Sequence, residues 1–263
     1  YWLNFIFEYL NINFLKASLN EILQNISTDF YLPNPEYFTY GPIFDVPTAF
    51  LDLLFGSDKT YLSFKLRHFF IFSLYYLSSI IVFKILIERF NNFFISLFGT
   101  LLYIFSPRVY GDSFHNNKDI LFLSLTIFSI FFAFKIFKKK KIKNIFLFSL
   151  FAALATSTRV IGIFLPISVI FFLFLEVLNS KKHENTKYYF LILFFYFLSL
   201  VIHWPYLWID PFSNFLEYFI KSKNWVFSYY ILFDGKYFLT TSLPDSFIFT
   251  WISISTPILN LIL

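Results

Sequence analysis

Long apolar runs alternate with short polar segments along most of this chain. Seven runs follow one another after residue 65: Phe69–Leu86, Phe93–Phe105, Ile120–Phe137, Ile145–Ala155, Val160–Leu178, Tyr188–Ile202 and one that starts near Phe247 and reaches the end. An apolar helix of about 20 residues crosses roughly 30 Å of hydrocarbon. The pattern therefore predicts an all-α, polytopic transmembrane bundle, in which protein buries the ends of the short second and fourth spans.

Polarity divides the chain into two parts. Residues 1–65 are mixed in polarity and broken by Pro and Gly, and we assign them to a first extracytoplasmic loop region. Residues 66–263 form the bundle, with extracytoplasmic loops at 106–118 and 204–246 that carry short interfacial helices. Because the chain lacks an initial Met and a signal peptide and ends within an apolar run, we expect a fragment that is cut at both ends.

Three short connections between the runs are strongly basic. They hold 11 of the 21 Lys and Arg residues: Lys84, Arg89, Lys135, Lys138, Lys139, Lys140, Lys141, Lys143, Lys181, Lys182 and Lys187. By the positive-inside rule these connections are cytoplasmic. The remaining loops then share the opposite face, which carries 13 of the 16 acidic residues. The Lys138–Lys143 block could also contact anionic lipid headgroups, although a topology signal explains it more simply.

Composition excludes several classes of protein. The chain is 58% hydrophobic and only 14% charged, which is far less charge than a soluble domain of this length carries. It has no Cys, which excludes disulfides, thiol catalysis and Cys-based zinc sites. With six Gly it has no Gly-rich phosphate loop, and we expect no nucleic-acid partner.

The segment between the second and third runs concentrates ionisable groups. Its candidates are Asp112, His115, Lys118 and Asp119. A carboxylate at the mouth of a span, such as Asp119, is partly desolvated and favours pairing with a cation, a proton or a metal. Alternatively, Asp119 is the N-cap or first-turn acid of the helix. The neighbouring Asn116 and Lys118 add more polar groups than a cap requires, which favours a functional site.

A second acidic cluster lies in the first external region. Glu36 and Asp45 flank a turn formed by Tyr40-Gly41-Pro42. Asp45 could instead cap a helix that begins at Val46-Pro47. The residues leave both interpretations open.

Two Arg residues add positive charge on the acidic side. Arg159 follows the short fourth run at the membrane boundary, where a guanidinium requires an anion. A lipid phosphate, a substrate phosphate or Asp119 would serve, and the alternative is an Arg that snorkels to lipid headgroups. Arg108 precedes the Asp119 segment. His203 is interpreted as a hydrogen-bonded structural residue.

Taken together, these segments resemble a family. The order is an acidic external segment, two spans, Ser113-Phe-His-Asn-Asn-Lys-Asp119 at the head of a span, a basic loop, Arg159-Val-Ile-Gly162 and an external Pro-Tyr-Leu-Trp segment. This order resembles the bacterial membrane glycosyltransferases of the GT-C superfamily, in the protein O-mannosyltransferase-like (family 39) branch. The stretch Phe114–Phe122 is the most specific part.

The resemblance implies a concrete activity. Such enzymes move a sugar from a polyprenyl-phosphate carrier to an acceptor hydroxyl of a glycan, lipid or protein on the non-cytoplasmic face, which here implies the periplasmic face of a bacterial inner membrane. Asp119 corresponds to the second-loop carboxylate. Relatives carry an acidic pair directly after a first span that this chain lacks, so Glu36 and Asp45 are the remaining candidates for the first-loop base.

Residue chemistry agrees with that class. Transfer from a phosphate-linked sugar requires a base near the acceptor hydroxyl, which Glu36, Asp45 or Asp119 can supply. It also requires cations at the leaving phosphate. Arg159, Lys118 and Arg108 provide these, with His115 and Asp112 as further substrate-binding candidates. A divalent cation, Mg²⁺ or Mn²⁺, held by carboxylates such as Asp119 could replace a side-chain cation.

Two other classes of function fit a polytopic chain. A transporter or lipid flippase would place ionisable groups near the bilayer midplane. An assembly subunit would need no carboxylate clusters. Here the charges collect at one face of the bundle, which favours an enzyme at the membrane interface.

The topology is testable by labelling. We expect Lys139 to be cytoplasmic and His115 to be external, because basic connections remain inside. In single-Cys variants, a membrane-impermeant maleimide should label position 115 in intact cells and position 139 only after permeabilisation. The reverse labelling would overturn the orientation and, with it, the external placement of the candidate site.

Overall fold

The chain is described by a computed structural model that covers residues 40–55, 60–180, 186–223 and 228–256. Across these ranges it contains ten α-helices and one antiparallel β-hairpin. The helices are α1 (Asp45–Phe55), α2 (Thr60–Phe90), α3 (Phe93–Ile104), α4 (Pro107–Asp112), α5 (Asp119–Lys138), α6 (Ile142–Thr158), α7 (Phe164–Ser180), α8 (Thr186–His203), α9 (Pro211–Lys223) and α10 (Phe247–Ser255). The strands are β1 (Tyr230–Phe233) and β2 (Lys236–Leu239), and short 3-10 helices lie at Val160–Ile163 and Pro205–Leu207. The predicted all-α membrane architecture is confirmed.

Six apolar helices correspond to the first six predicted runs. Three are long and apolar enough to cross a membrane, namely Tyr61–Phe90, Asp119–Lys138 and Val160–Leu178. The other three are shorter: Phe93–Ile104, Ile142–Thr158 and Lys187–His203. The first of the six begins earlier than its run, because α2 continues as a helix through the polar residues that precede Phe69. Of the seventh run, the described residues cover only α10.

The β-hairpin is an addition to the predicted all-helical chain. It lies in the aromatic loop after α8, where Tyr230 pairs with Leu239 and Phe233 with Lys236. Asp234 and Gly235 at the turn both have positive φ, 48° and 71°. Asp-Gly is a sequence signal for a two-residue hairpin turn with positive φ at both positions. The signal was therefore present but was not used in the sequence analysis.

Helix α6 lies at the centre of the bundle, between α5 and α8. On the other side of α5, α2 packs against both α5 and α3. The residues Ala152, Ala153 and Ala155 of α6 are completely buried. Small side chains let helix backbones approach closely where lipid provides no hydrophobic driving force. Protein therefore encloses the C-terminal end of the short fourth span, as predicted. The prediction is wrong for the second span, whose end residues Phe93, Phe94 and Phe105 are exposed.

At one end of the bundle, basic side chains form ion pairs that connect neighbouring helices. Lys135 and Lys138 of α5 both donate to Glu88 of α2, at 2.5 Å and 2.6 Å. Lys140 donates to Glu176 of α7 at 2.7 Å. Since α5 begins at Asp119, its acidic start and its basic end are separated by about 28 Å, the length of the helix. The basic residues Lys135, Lys138 and Lys140 and the Asp119 segment therefore occupy opposite ends of the bundle.

The C-terminal carbonyls of α6 bring several distant segments together. A helix end leaves its last carbonyl groups without intrahelical donors. Here Ala155 O accepts from Arg159 N at 2.9 Å, and Ser157 O accepts from Gly41 N at 2.8 Å. Thr156 O accepts from the Tyr218 hydroxyl at 3.2 Å. A backbone turn, the loop that carries Gly41 and a surface helix thus meet at one helix end.

Side chains add to the contacts at this helix end. The Tyr196 hydroxyl of α8 donates to Thr156 Oγ1 at 2.9 Å. His203 Nε2 lies 2.8 Å from Ser157 Oγ, and its Nδ1 lies 2.5 Å from Ser199 O. Because a carbonyl can only accept, Nδ1 carries a proton in this arrangement. His203 is thus a hydrogen-bonded residue of the core, consistent with its interpretation from the sequence.

Gly162 is required by the close approach of the 3-10 helix to α6. A Cβ at this position would lie 2.6 Å from Thr156 N and 2.8 Å from Ala155 C, both of which are backbone atoms that cannot move independently. At Gly111, in α4, a Cβ would have no heavy atom within 4 Å. The two glycines therefore differ in steric demand and form a matched pair.

We expect Gly162→Ala to destabilise the fold by about 1–3 kcal/mol, the range for overpacking a filled site. Gly111→Ala should be neutral or slightly stabilising, since Ala favours a helix. The measurement is thermal unfolding in detergent, followed by far-ultraviolet circular dichroism. Equal unfolding midpoints for the two variants would contradict the close contact between Gly162 and α6.

Candidate active site

Asp119 is the first residue of α5, but a neighbouring side chain caps the helix. Asn116 Oδ1 accepts from the backbone N–H groups of Lys118 at 3.2 Å and Asp119 at 2.9 Å. The Asn116 amide also donates to Asp119 Oδ2 at 3.0 Å. Asp119 is therefore a first-turn acid and not the N-cap, so its carboxylate is available for other partners.

The other oxygen of Asp119 pairs with Arg159. The Arg159 Nη2 group donates to Asp119 Oδ1 in a short, charge-assisted hydrogen bond. Of the anions considered for Arg159, the one present in the structure is Asp119. The two side chains remain 41% and 55% exposed. An ion pair this open contributes about 1 kcal/mol or less to stability, and both groups remain accessible to a ligand.

Lys118 joins this ion pair to the turn that carries Tyr40. Its ammonium lies 4.0 Å from the centroid of the Tyr40 ring, in a cation–π contact. Burial lowers the pKa of Lys118 and the nearby Arg159 lowers it further, whereas Asp45 and Asp119 raise it. Lys118 is therefore within the electrostatic field of both carboxylates.

Asp45 opens α1 on the Tyr40 side of the cluster. The helix begins at Asp45 itself, one residue before the predicted Val46-Pro47 start. Among the described residues its carboxylate has no hydrogen-bond donor, since Thr48 donates to the carbonyls of Phe44 and Asp45 instead. Asp45 is exposed at the surface, but the protein around it still removes part of the water from its carboxylate, and this desolvation raises its pKa. The positive charges of Arg67 and Lys118 lower the same pKa.

The turn that carries Tyr40 is fixed against the core. Besides the Gly41–Ser157 hydrogen bond, a Cβ on Gly41 would lie 2.4 Å from Ser157 Cβ, so only glycine fits. The Tyr40 ring meets Tyr218 edge-on, with centroids 6.4 Å apart, and Tyr218 meets the buried Trp204 in the same way at 4.8 Å. These contacts hold the Tyr40 turn beside Lys118 and Arg159.

Three other predicted site residues, Arg108, Asp112 and His115, make their contacts outside this cluster. His115 Nε2 lies 3.7 Å from Asp112 Oδ1. The Arg108 guanidinium lies 5.5 Å from the centroid of the Trp251 ring of α10. Within the described ranges, none of these three forms a hydrogen bond or ion pair with Asp45, Lys118, Asp119 or Arg159. Glu36 lies outside the described residues.

Sequence analysis missed two charged residues near Asp45. Arg67 of α2 contacts Asp52 of α1, with Nη2 3.3 Å from Oδ2, and the Ser63 hydroxyl donates to the same oxygen at 3.0 Å. Asp52 lies seven residues after Asp45, on the same face of α1. That spacing, together with a lone Arg before an apolar run, was the signal that could have identified the pair.

The arrangement can support proton transfer and anion binding, but it offers few ligands for a metal ion. Asp45 is a carboxylate without a donor among the described residues, and Lys118 and Arg159 are cations that a phosphate can reach. No group of three or more His, Asp or Glu residues suited to a metal occurs in the described part of the chain. The divalent cation remains a prediction.

Family membership follows from a match to a protein-family model. The model for dolichyl-phosphate-mannose-protein mannosyltransferases matches residues 50–205, which include Arg67, Lys118, Asp119 and Arg159. No curated protein and no solved structure is significantly similar to the chain. The match spans 156 of 263 residues and supports the resemblance to GT-C membrane glycosyltransferases. This chain therefore belongs to the dolichyl-phosphate-mannose-protein mannosyltransferase family.

Proposed function

We propose that this membrane glycosyltransferase moves a sugar from a polyprenyl-phosphate donor to an acceptor hydroxyl at the non-cytoplasmic face. The observation that carries the proposal is the cluster of Asp45, Lys118, Asp119 and Arg159 at one end of the bundle. Among the described residues, the basic Lys135, Lys138 and Lys140 lie at the other end, which supports an external site by the positive-inside rule.

The reaction assigns a distinct task to each group. The acceptor oxygen forms a bond to the anomeric carbon of the sugar, and the bond from that carbon to the phosphate oxygen breaks. Asp45 takes the proton of the acceptor hydroxyl as general base, since it lacks a competing donor among the described residues. The polyprenyl phosphate departs with the negative charge.

Cations at the leaving group complete the mechanism. Arg159 and Lys118 lie together at the Asp119 end of the bundle, where they can stabilise the phosphate as its charge develops. Asp119 holds Arg159 in place until the donor binds and then orients the acceptor. The same site could use a divalent cation at the phosphate, in which case Asp119 is the candidate ligand.

A transporter or a lipid flippase is the alternative that the experiments must separate. The family match favours transfer chemistry, and the ionisable cluster at one end of the bundle differs from the midplane sites of transporters. We infer a bacterial inner-membrane enzyme whose site faces the periplasm, with a glycan, a lipid or a protein as acceptor.

We expect Asp119→Asn to lower sugar transfer by about 10²-fold or more, because it removes a positioned carboxylate. The assay is transfer from a polyprenyl-phosphate sugar by the full-length protein in proteoliposomes. Asp234→Asn is the matched control: Asp234 lies in the hairpin turn with positive φ, a conformation that Asn tolerates. Wild-type turnover of Asp119→Asn would leave the carboxylate with a scaffold role and favour the transporter alternative.

Arg159→Ala should mainly raise the KM for the donor, because it removes a cation that binds the phosphate. We expect an increase of about tenfold or more, the scale of one lost charge-assisted hydrogen bond. Donor titration at saturating acceptor measures it, with Arg89→Ala at the basic end of α2 as control. An unchanged donor KM in a folded Arg159→Ala variant would exclude Arg159 from the phosphate site.

A further inference from the structure

The Asp52–Arg67 ion pair is placed to act on Asp45. Asp45 and Asp52 lie two turns apart on one face of α1, and Ser63 and Arg67 lie one turn apart on one face of α2. The two faces meet, since Ser63 Oγ and Arg67 Nη2 both donate to Asp52 Oδ2, at 3.0 Å and 3.3 Å. Arg67 thus stands opposite a helix face that carries two carboxylates.

The hydrogen bonding of the pair is incomplete for a purely structural contact. Asp52 Oδ1 and Arg67 Nε are both buried and have no hydrogen-bond partner among the described residues. Leaving buried polar atoms unpaired costs free energy, and a bidentate Arg–carboxylate geometry would have avoided it. The Asp52 side chain is 14% exposed and Arg67 38%, so their charges are screened less than those of a surface pair.

Among the described residues, the charged groups that act on Asp45 come from two elements. Arg67 faces it from α2, and Lys118 faces it from the segment before α5, where Asp119 and Arg159 are in turn close to Lys118. Lys118 is already shared with Asp119. Arg67 is the cation that Asp45 shares with Asp52 alone in the described structure.

We propose that Arg67 and Asp52 are a pair of positioning residues that set the charge state of Asp45. Arg67 keeps Asp45 deprotonated and able to accept the proton of the acceptor hydroxyl, and Asp52 holds Arg67 in place and limits its effect. The inference rests on the proposed role of Asp45 as general base. It predicts that the loss of Arg67 and the loss of Asp52 shift the Asp45 pKa in opposite directions.

The sign of each effect follows from electrostatics. Arg67→Gln removes the cation that favours the charged form of Asp45, so the Asp45 pKa rises and the acid limb of the pH profile moves to higher pH. Asp52→Asn removes an anion and leaves Arg67 uncompensated, so the limb moves to lower pH. The double variant restores the local net charge and should return the limb toward the wild-type position.

The experiment measures kcat/KM against pH for full-length wild type, Arg67→Gln, Asp52→Asn and the double variant in proteoliposomes. At a pH on the acid limb we expect the two single variants to differ by about tenfold or more, since one pKa unit corresponds to tenfold. Glu88→Gln, at the basic end of the bundle, is the control and should leave the limb unmoved. Shifts of both single variants in one direction, or none, would overturn the inference.

A second readout does not depend on turnover. Dicyclohexylcarbodiimide modifies protonated carboxyl groups, so the pH at which half of Asp45 is labelled, read by peptide mass spectrometry, reports its charge state directly. Arg67→Gln should raise that pH and Asp52→Asn should lower it. If these shifts appear but Asp45→Asn retains full sugar transfer, the electrostatic inference stands and the base assignment fails. If labelling does not shift while transfer requires Asp45, the reverse holds.

Discussion

Backbone carbonyls at the end of α6 impose the constraint on which the site depends. This end is enclosed by protein, so its carbonyl groups must find donors within the chain. The donors come from Gly41, Arg159 and Tyr218, which lie far apart in sequence. Satisfying the helix end therefore also fixes the Tyr40-Gly41-Pro42 turn, the start of the 3-10 helix and the surface helix α9 in one place. The catalytic candidates are carried by the segments that this requirement assembles.

Charges in the site occur as shared groups and not as isolated pairs. Arg159 is hydrogen-bonded to Asp119, and Lys118 interacts electrostatically with both Asp119 and Asp45. Arg67 in turn interacts with both Asp45 and Asp52. In this series of charged side chains, neighbouring carboxylates compete for the same cation. Under the proposed function, a donor phosphate that draws Arg159 or Lys118 toward itself would release negative charge near the acceptor. The proposal therefore links donor binding and proton transfer through the same few side chains.

The sequence was sufficient for the membrane architecture and for part of the site. Apolar runs gave the spans, because burial in lipid demands long hydrocarbon segments, and the boundary positions of Asp119 and Arg159 suggested their pairing. The capping by Asn116 and the beginning of α2 at Thr60 depend on local backbone geometry that composition does not encode. Arg67 was missed because its partners, Asp52 and Asp45, lie on another helix and are recognised only once α1 and α2 are packed together.

The length of α2 relates the site to the thickness of the bilayer. Its 31 residues extend about 46 Å, whereas the hydrocarbon core is about 30 Å thick. The excess must emerge from the membrane or be accommodated by tilt. Arg67 lies in the third turn of this helix, so a thicker bilayer or a larger tilt would bring it, and the Asp45 face with it, closer to the headgroups. Under the proposed function, lipid composition thereby becomes a determinant of how high above the membrane Asp45 would meet the acceptor hydroxyl.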